Sequence, residues 1–301
     1  VNSARVSGQQ LWQWWLSAQR EAKAAAVSAY ELNYLFQEVA GLDTLALKLG
    51  TFQHWAEVPL TMPLEQLECL WRRRIQERVP IQYLLGTAYW RAMQLTVTPA
   101  VLIPRPETEC MIDFLADSLR ARSIDALTTQ GHWVDLGTGS GAIALALAQL
   151  LPQATIHAVD WSEDALAIAQ RNATQLNLAQ RIQFHQGSWF EPLAHLRGQV
   201  NGMLANPPYI PSETVLQLQP EVANHEPHLA LDGGADGLAC IRQLVAIAPD
   251  YLCSGGMWLI EMMIGQAPIV MELLHQQGSY RDIHAYADLA GIERFVMAYR
   301  C

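Results

Sequence analysis

The stretch Trp133-Val134-Asp135-Leu136 passes directly into Gly137-Thr138-Gly139-Ser140-Gly141 and then into the apolar run AIALALAQLL. Three glycines in five residues call for a sharp turn between a strand and a helix, because glycine alone enters the left-handed region without Cβ strain. At such a turn the backbone approaches a ligand closely, and the helix N-terminus points at it. The next strand-like stretch, Thr155 to Asp160, ends in a carboxylate 19 positions past Gly141, placed to accept both hydroxyls of a ribose. The pattern predicts a nucleoside-cofactor site. Gly137, Gly139 and Ala142 also have dinucleotide-loop spacing, so the loop by itself does not separate NAD from S-adenosylmethionine (AdoMet).

From Cys110 onward strand-like and helix-like stretches alternate, the pattern of an α/β domain on a mostly parallel sheet. The expected strands are His132 to Leu136, Thr155 to Asp160, Ile182 to Gln186, Gly202 to Ala205 and Met257 to Met262. A terminal pair follows around Gly291, Asp282 to Ala287 and Arg294 to Tyr299, one of them antiparallel. Residues 9 to 78 differ: segments such as QQLWQWWLSAQREA and LEQLECLWRRRIQER repeat apolar residues at helical spacing, with almost no strand signal. Pro59 and Pro63 break the chain before a helix of Leu64 to Glu77, and Arg72-Arg73-Arg74 reads as a basic cap at its C-terminus, where the helix dipole favours cations, with partner binding as the lesser alternative. The segment YLLGTAYWRAMQLTVTPAVLIP reads as a β-hairpin linker. The expected domains are therefore a helical unit over 1–78, a hairpin linker over 79–109 and a Rossmann-like domain over 110–301.

Nineteen Lys+Arg against 29 Asp+Glu leave a net charge of −10, which disfavours a phosphate backbone as direct substrate. The five cysteines are widely spaced without a C-x-x-C pair, so neither a disulfide framework nor a zinc cluster is indicated, and reduced cytosolic thiols are the simpler reading. No stretch is long and apolar enough for a bilayer, and the first residues lack a signal-peptide pattern. The expectation is a soluble cytoplasmic protein.

Asn206-Pro207-Pro208-Tyr209 follows the apolar stretch GMLA, at the carboxyl edge of a parallel strand where open α/β sheets bind ligands. Two prolines fix φ and remove N–H donors, so the segment offers carbonyl and amide oxygens in a stiff frame beside an aromatic ring. Such a frame suits a planar amino group awaiting methylation. The Asn206 side-chain oxygen and the Pro207 carbonyl can accept its two N–H bonds while Tyr209 packs on its flat face, so orientation carries much of the catalysis. NAD chemistry has no use for this frame, which favours AdoMet.

These residues resemble the protein-(glutamine-N(5)) methyltransferases of the PrmC/HemK type. The similar pieces are PIQYLLG from Pro80, LIPRPETE from Leu102, DLGTGSGAIALALA from Asp135, NPPYI from Asn206, EPHLALDGGADGL from Glu226, LIEMM around Glu261 and DLAGIERFVMA from Asp288. The resemblance implies AdoMet bound by Gly137, Thr138, Gly139, Ser140, Gly141, Asp160, Trp189 and Asn206. It implies a glutamine of the GGQ motif of peptide chain release factors held by Asn206, Pro207, Pro208 and Tyr209, with the helical unit recognising the release factor. An adenine-N6 nucleic-acid methyltransferase is the alternative, since NPPY serves it equally. Arg105, Glu107 and Glu109 read either as ordering the linker or as a solvated ion-pair cluster. His225 and His228 flank Pro227, a poor spacing for a metal, and no metal site is expected.

Overall fold

The computed structural model describes residues 4–121 and 130–301, in two compact units: Val1–Gly86 with Pro220–His225, and Thr87–Gln219 with Glu226–Cys301.

In the first unit, α1 (Gly8–Ala24) is capped by Ser7, whose hydroxyl accepts the Gln10 N–H, and it buries Leu11, Trp15, Ala18 and Ala22 at helical spacing. Helices α2 (Ala29–Ala40) and α3 (Thr44–Leu49) close on Gly41 and Gly50, both left-handed, and α4 (Leu64–Gln76) follows Pro63. The LWQWW indoles are packing groups: Trp12 stacks on Trp15 at 4.8 Å beside Phe52. Two expectations are corrected here. A short antiparallel ribbon pairs β1 (Ala4–Val6) with β2 (Val58–Leu60), the second of which lies within residues 9–78, where the sequence carries almost no strand signal; Pro59 is tolerated because a two-stranded ribbon leaves its outer edge unpaired. Arg74 does more than cap its helix: it is buried in ion pairs. Its guanidinium donates to Glu31 at 2.8 Å and pairs with Glu221 at 2.8 Å, partners too distant in sequence for a local pattern to show.

Part of the anticipated linker is helix. Helix α5 (Ile81–Leu85) ends at the left-handed Gly86, and Ile81, Leu84 and Leu85 join the apolar core of the first unit. The hairpin is confined to β3 (Thr87–Trp90) and β4 (Met93–Thr96) and belongs to the second unit. Helix α6 (Glu109–Ala121) follows it.

The second unit is built on a seven-stranded sheet of β5 (His132–Leu136), β6 (Thr155–Asp160), β7 (Ile182–Gln186), β8 (Val200–Ala205), β9 (Leu252–Glu261), β10 (Tyr280–Ala287) and β11 (Glu293–Arg300). The strand order is β10-β11-β9-β8-β5-β6-β7. Strands β5 to β9 are parallel, and β11 lies antiparallel between β9 and β10. Helices α7 (Ala142–Leu150), α8 (Glu163–Gln175), α9 (Ser212–Val215), α10 (Pro220–His225, in the first unit), α11 (Ala239–Ile247) and α12 (Ala267–Gln277) complete the described α-helices. Both sheet faces are buried, one by a core containing Leu145, Leu147 and Leu259, the other by a core containing Leu244, Val270 and Ile260. Two-sided burial explains why the central strands read as nearly continuous apolar runs.

The chain passes from β5 outward to β6 and β7, then returns to the other side of β5 with β8. The order therefore reverses between β5 and β8, where the carboxyl ends of adjacent strands open a crevice.

Candidate functional site

Strand register assembles the site. Leu136 lies opposite Val159 of β6 on one side and Ala205 of β8 on the other. The residues that follow along the three strands, Gly137, Asp160 and Asn206, thus lie together at the carboxyl ends, and all three line a cavity of about 310 Å³. That volume falls at the lower end of ligand clefts.

Gly137, Gly139 and Gly141 have φ of +78°, +52° and +85°, conformations strained for any other residue type. The Gly137 and Thr138 N–H groups both donate to the Val159 carbonyl at 2.9 Å, which pins the loop to β6. Asp135, fully buried on β5, accepts from the Thr138 hydroxyl at 2.6 Å and from the Ala144 N–H at 3.0 Å, so one carboxyl joins the loop to α7. Burial with few donors pushes its pKa up to about 7. Asp160 spends one oxygen on the Gly139 N–H at 2.8 Å and the other on the Ser162 N–H at 2.9 Å. The Trp161 N–H also turns toward this carboxyl, which still keeps part of its acceptor capacity, and desolvation raises it above its ordinary value.

Of the expected cofactor residues, Gly137, Gly139, Asp160, Trp189 and Asn206 reach the cavity. Thr138, Ser140 and Gly141 do not line it. Thr138 faces Asp135, the Ser140 carbonyl accepts from Asn172 at 2.8 Å, and Gly141 is pressed against Ala169, where a Cβ would fall 3.1 Å from its neighbour. Trp189 adopts φ +48° and stands over the loop, its ring 3.4 Å from where a Gly137 Cβ would be. Trp161, Ser162 and Leu229, not singled out in the sequence, also line the cavity.

Within the second motif, Asn206 and Pro208 line the cavity, whereas Pro207 is buried and Tyr209 turns its hydroxyl away toward Glu261, donating to Oε1 at 3.4 Å. Burial and the Glu261 carboxylate raise the phenol far above its usual range, so it stays protonated. The Asn206 amide donates through Nδ2 to the Thr108 hydroxyl at 3.1 Å. Among the described residues no donor reaches Asn206 Oδ1 or the Pro207 carbonyl. Gly233 and Gly237 lie against the motif so closely that a Cβ would sit 2.8 Å from the Pro208 carbonyl oxygen and 2.3 Å from that of Tyr209. Gln266, buried, donates to the Tyr209 carbonyl at 3.2 Å. The DGGADG turn therefore packs directly beneath the proline corner, a role its sequence did not disclose.

Arg105 donates to Glu226 at 2.7 Å, and that glutamate is buried, so this pair is not a solvated surface cluster. Glu109 accepts the Arg91 N–H in the hairpin turn. His225 lies at 2.8 Å from the Glu77 carbonyl oxygen within the first unit. Among the described residues no helix is long and apolar enough to cross a membrane.

A family model described as a methyltransferase domain matches residues 127–228. The release factor glutamine methyltransferase of Synechocystis sp. is 52% identical over 99% of this chain and 99% of its own length. That of Thermosynechococcus vestitus is 45% identical over 97% and 99%. Among solved structures, the hMettl16 catalytic domain in complex with a MAT2A 3'UTR hairpin superposes with a TM-score of 0.52 at 14% identity, covering 78% of this chain and 80% of that one, a likeness of fold alone.

Proposed function

The chain belongs to the release factor glutamine methyltransferase family, and from that premise we propose that its crevice transfers a methyl group from AdoMet to the side-chain amide nitrogen of the GGQ glutamine of peptide chain release factors, in the cytoplasm. The observation that carries this reading is the register of β6, β5 and β8, which delivers the glycine loop, Asp160 and Asn206 to one cavity.

The residues present fit AdoMet. Left-handed glycines leave open a face that a Cβ beside Trp189 would occupy, and Asp160 keeps acceptor capacity at the cavity wall. Gly137, Gly139, Asp160 and Trp189 would hold the cofactor, with Thr138, Ser140 and Gly141 shaping the loop. When bound, AdoMet supplies an electrophilic methyl on a positively charged sulfur.

The amide nitrogen of glutamine is a poor nucleophile because its lone pair is delocalised into the carbonyl, so placing it in line with the methyl is the main task of the protein. Asn206 Oδ1 and the Pro207 carbonyl accept its two N–H bonds, which fixes the nitrogen and draws density toward it. Pro208 narrows the cavity wall. Tyr209 cannot act as a base, since its phenol remains protonated and bonded to Glu261. Its ring packs into the apolar core and stiffens the corner.

A release factor incubated with the protein and AdoMet should gain the mass of one methyl group on its GGQ peptide. Asn206→Ala should lower turnover by about 100-fold or more while AdoMet still binds. Label transferred to DNA or RNA but not to release factor would reject the reading.

A further inference from the structure

A side-chain amide presents an oxygen on one side and an NH₂ on the other, and a half-turn about χ2 exchanges them. The methylation reading needs the oxygen of Asn206 toward the substrate, because the NH₂ in that place would face the substrate's own N–H donors. Something must choose between the two orientations. Asn206 Nδ2 meets the Thr108 hydroxyl at 3.1 Å, and Thr108 is itself buried, its hydroxyl turned to Glu261 closely enough to favour the ionised carboxylate. A hydroxyl has one proton to give. An ionised Glu261 is an acceptor only, so it takes that proton, and Thr108 is left with lone pairs that can receive nothing but a donor from Asn206. Glu261 also receives the Tyr209 hydroxyl, and its other oxygen, Oε2, is buried without a partner. One buried carboxylate thereby sets both ends of the proline corner.

We propose that Thr108 and Glu261 are positioning residues that lock the Asn206 amide with its oxygen toward the substrate nitrogen, through the directed relay Asn206 to Thr108 to Glu261. The proposal rests on the methylation reading above and adds to it two residues that do not touch the reacting atoms. The relay depends on charge. Glu261 is faced by Thr108 and Tyr209, by the like charge of Glu107 and by Arg294, and burial is the largest influence, raising its pKa to about 7. A protonated Glu261 can donate to Thr108, which frees Thr108 to donate to Asn206 and removes the bias.

The test measures methylation of a release factor in the full chain, with AdoMet affinity followed separately. Thr108→Val should lower kcat by roughly 10- to 100-fold, the scale of a misaligned reacting group, with AdoMet affinity within about twofold of wild type. Thr108→Ser should restore most of the rate, and Thr108→Val added to Asn206→Ala should cost little more than Asn206→Ala alone, because both remove one oriented oxygen. The wild-type rate should rise with pH through about 7, and Glu261→Gln should flatten that limb. Unchanged kcat in Thr108→Val, a full additional loss on the Asn206→Ala background, or loss of AdoMet binding in Thr108→Val would each overturn the proposal. Full activity in Asn206→Ala would instead overturn the methylation reading itself.

Discussion

The glycine loop and the proline corner stand side by side on adjacent strands, yet they are held in opposite ways. The loop is supported largely from within its own βαβ unit: Asp135 lies three residues from Thr138, Val159 and Asp160 close it from the next strand, and Asn172 of α8 reaches the Ser140 carbonyl. The corner is supported from far along the chain, by Thr108, Gly233, Gly237, Glu261 and Gln266. A site made of local parts can be read from spacing; one made of distant parts becomes visible only once the topology brings them together.

Alanine in place of glycine at the two sites should expose the difference most strongly. At Gly237, φ is +75° and a Cβ would fall 2.3 Å from the Tyr209 carbonyl oxygen, so backbone must move. Left-handed strain and overpacking together should cost about 4 kcal/mol, read as a lower urea midpoint with an unchanged slope, and turnover should fall with it. At Gly139, φ is +52° but nothing lies within 4 Å of the added Cβ, so Gly139→Ala should cost only about 1 kcal/mol. Its larger effect should be on AdoMet affinity. Equal stability losses at the two positions would erase the distinction between a crowded corner and an open loop.

Asn172 joins the loop to the hairpin, which the sequence treated as a separate linker. Its Oδ1 accepts the Thr96 N–H at 2.7 Å, and Nδ2 donates to the carbonyls of Thr96 and Ser140 at 3.0 and 2.8 Å, all in a buried setting. Asn172→Ala would leave three buried backbone groups unpaired, at about 3 kcal/mol, and hydrogen exchange should quicken at Thr96. Protection at Thr96 equal to wild type would show that the hairpin is anchored by packing alone.

The same contrast explains what the amino-acid sequence reveals. Strands β5, β6 and β7 have the bounds expected of them: β5 and β6 are largely apolar runs buried on both faces, and β7, the half-buried edge strand, is delimited by Arg181 and Gly187. Strand β9 begins five residues earlier than expected, at Leu252 rather than Met257, since Ser254, Gly255 and Gly256 lack the apolar and β-branched character of a strand whereas the observed strand carries them as an irregular start. PIQYLLG forms a helix because Gly86 closes it and three apolar residues meet the first unit's core, a tertiary gain that outweighs the neighbouring strand-like composition. Thr108 and Glu261 sit within motifs that resemble the family, but neither type of residue in a single chain announces a buried relay. Glu31, Arg74 and Glu221 are likewise ordinary helix-surface residues until the fold buries them together. Buried charge pairing across long sequence separations has no periodicity, so pattern reading passes over it.

The smallest effect tests the two regions by their response to acid. His157, on β6 three residues before Asp160, is buried between His132 and His185, with ring nitrogens 3.0 Å from each. Desolvation first, then repulsion from His185, His132 and His195, lowers its pKa to about 3. An unfolded histidine titrates near 6.5, so between about pH 6.5 and 3 the unfolded chain takes up a proton that the folded chain refuses. The stability contribution is therefore complete above about 6.5 and declines as pH falls through that window, by about 1.4 kcal/mol at pH 5.5. Glu261 in the corner has the reverse sign: its folded pKa is raised to about 7 from an ordinary 4.5, so its contribution is complete below 4.5 and is lost as pH rises through 7. His157→Gln should make urea stability less sensitive to acid than wild type, and Glu261→Gln should make it less sensitive to rising pH. Curves for the two variants that diverge from wild type in the same direction would mean that burial is not what sets either group, and the division between loop side and corner would lose its electrostatic half.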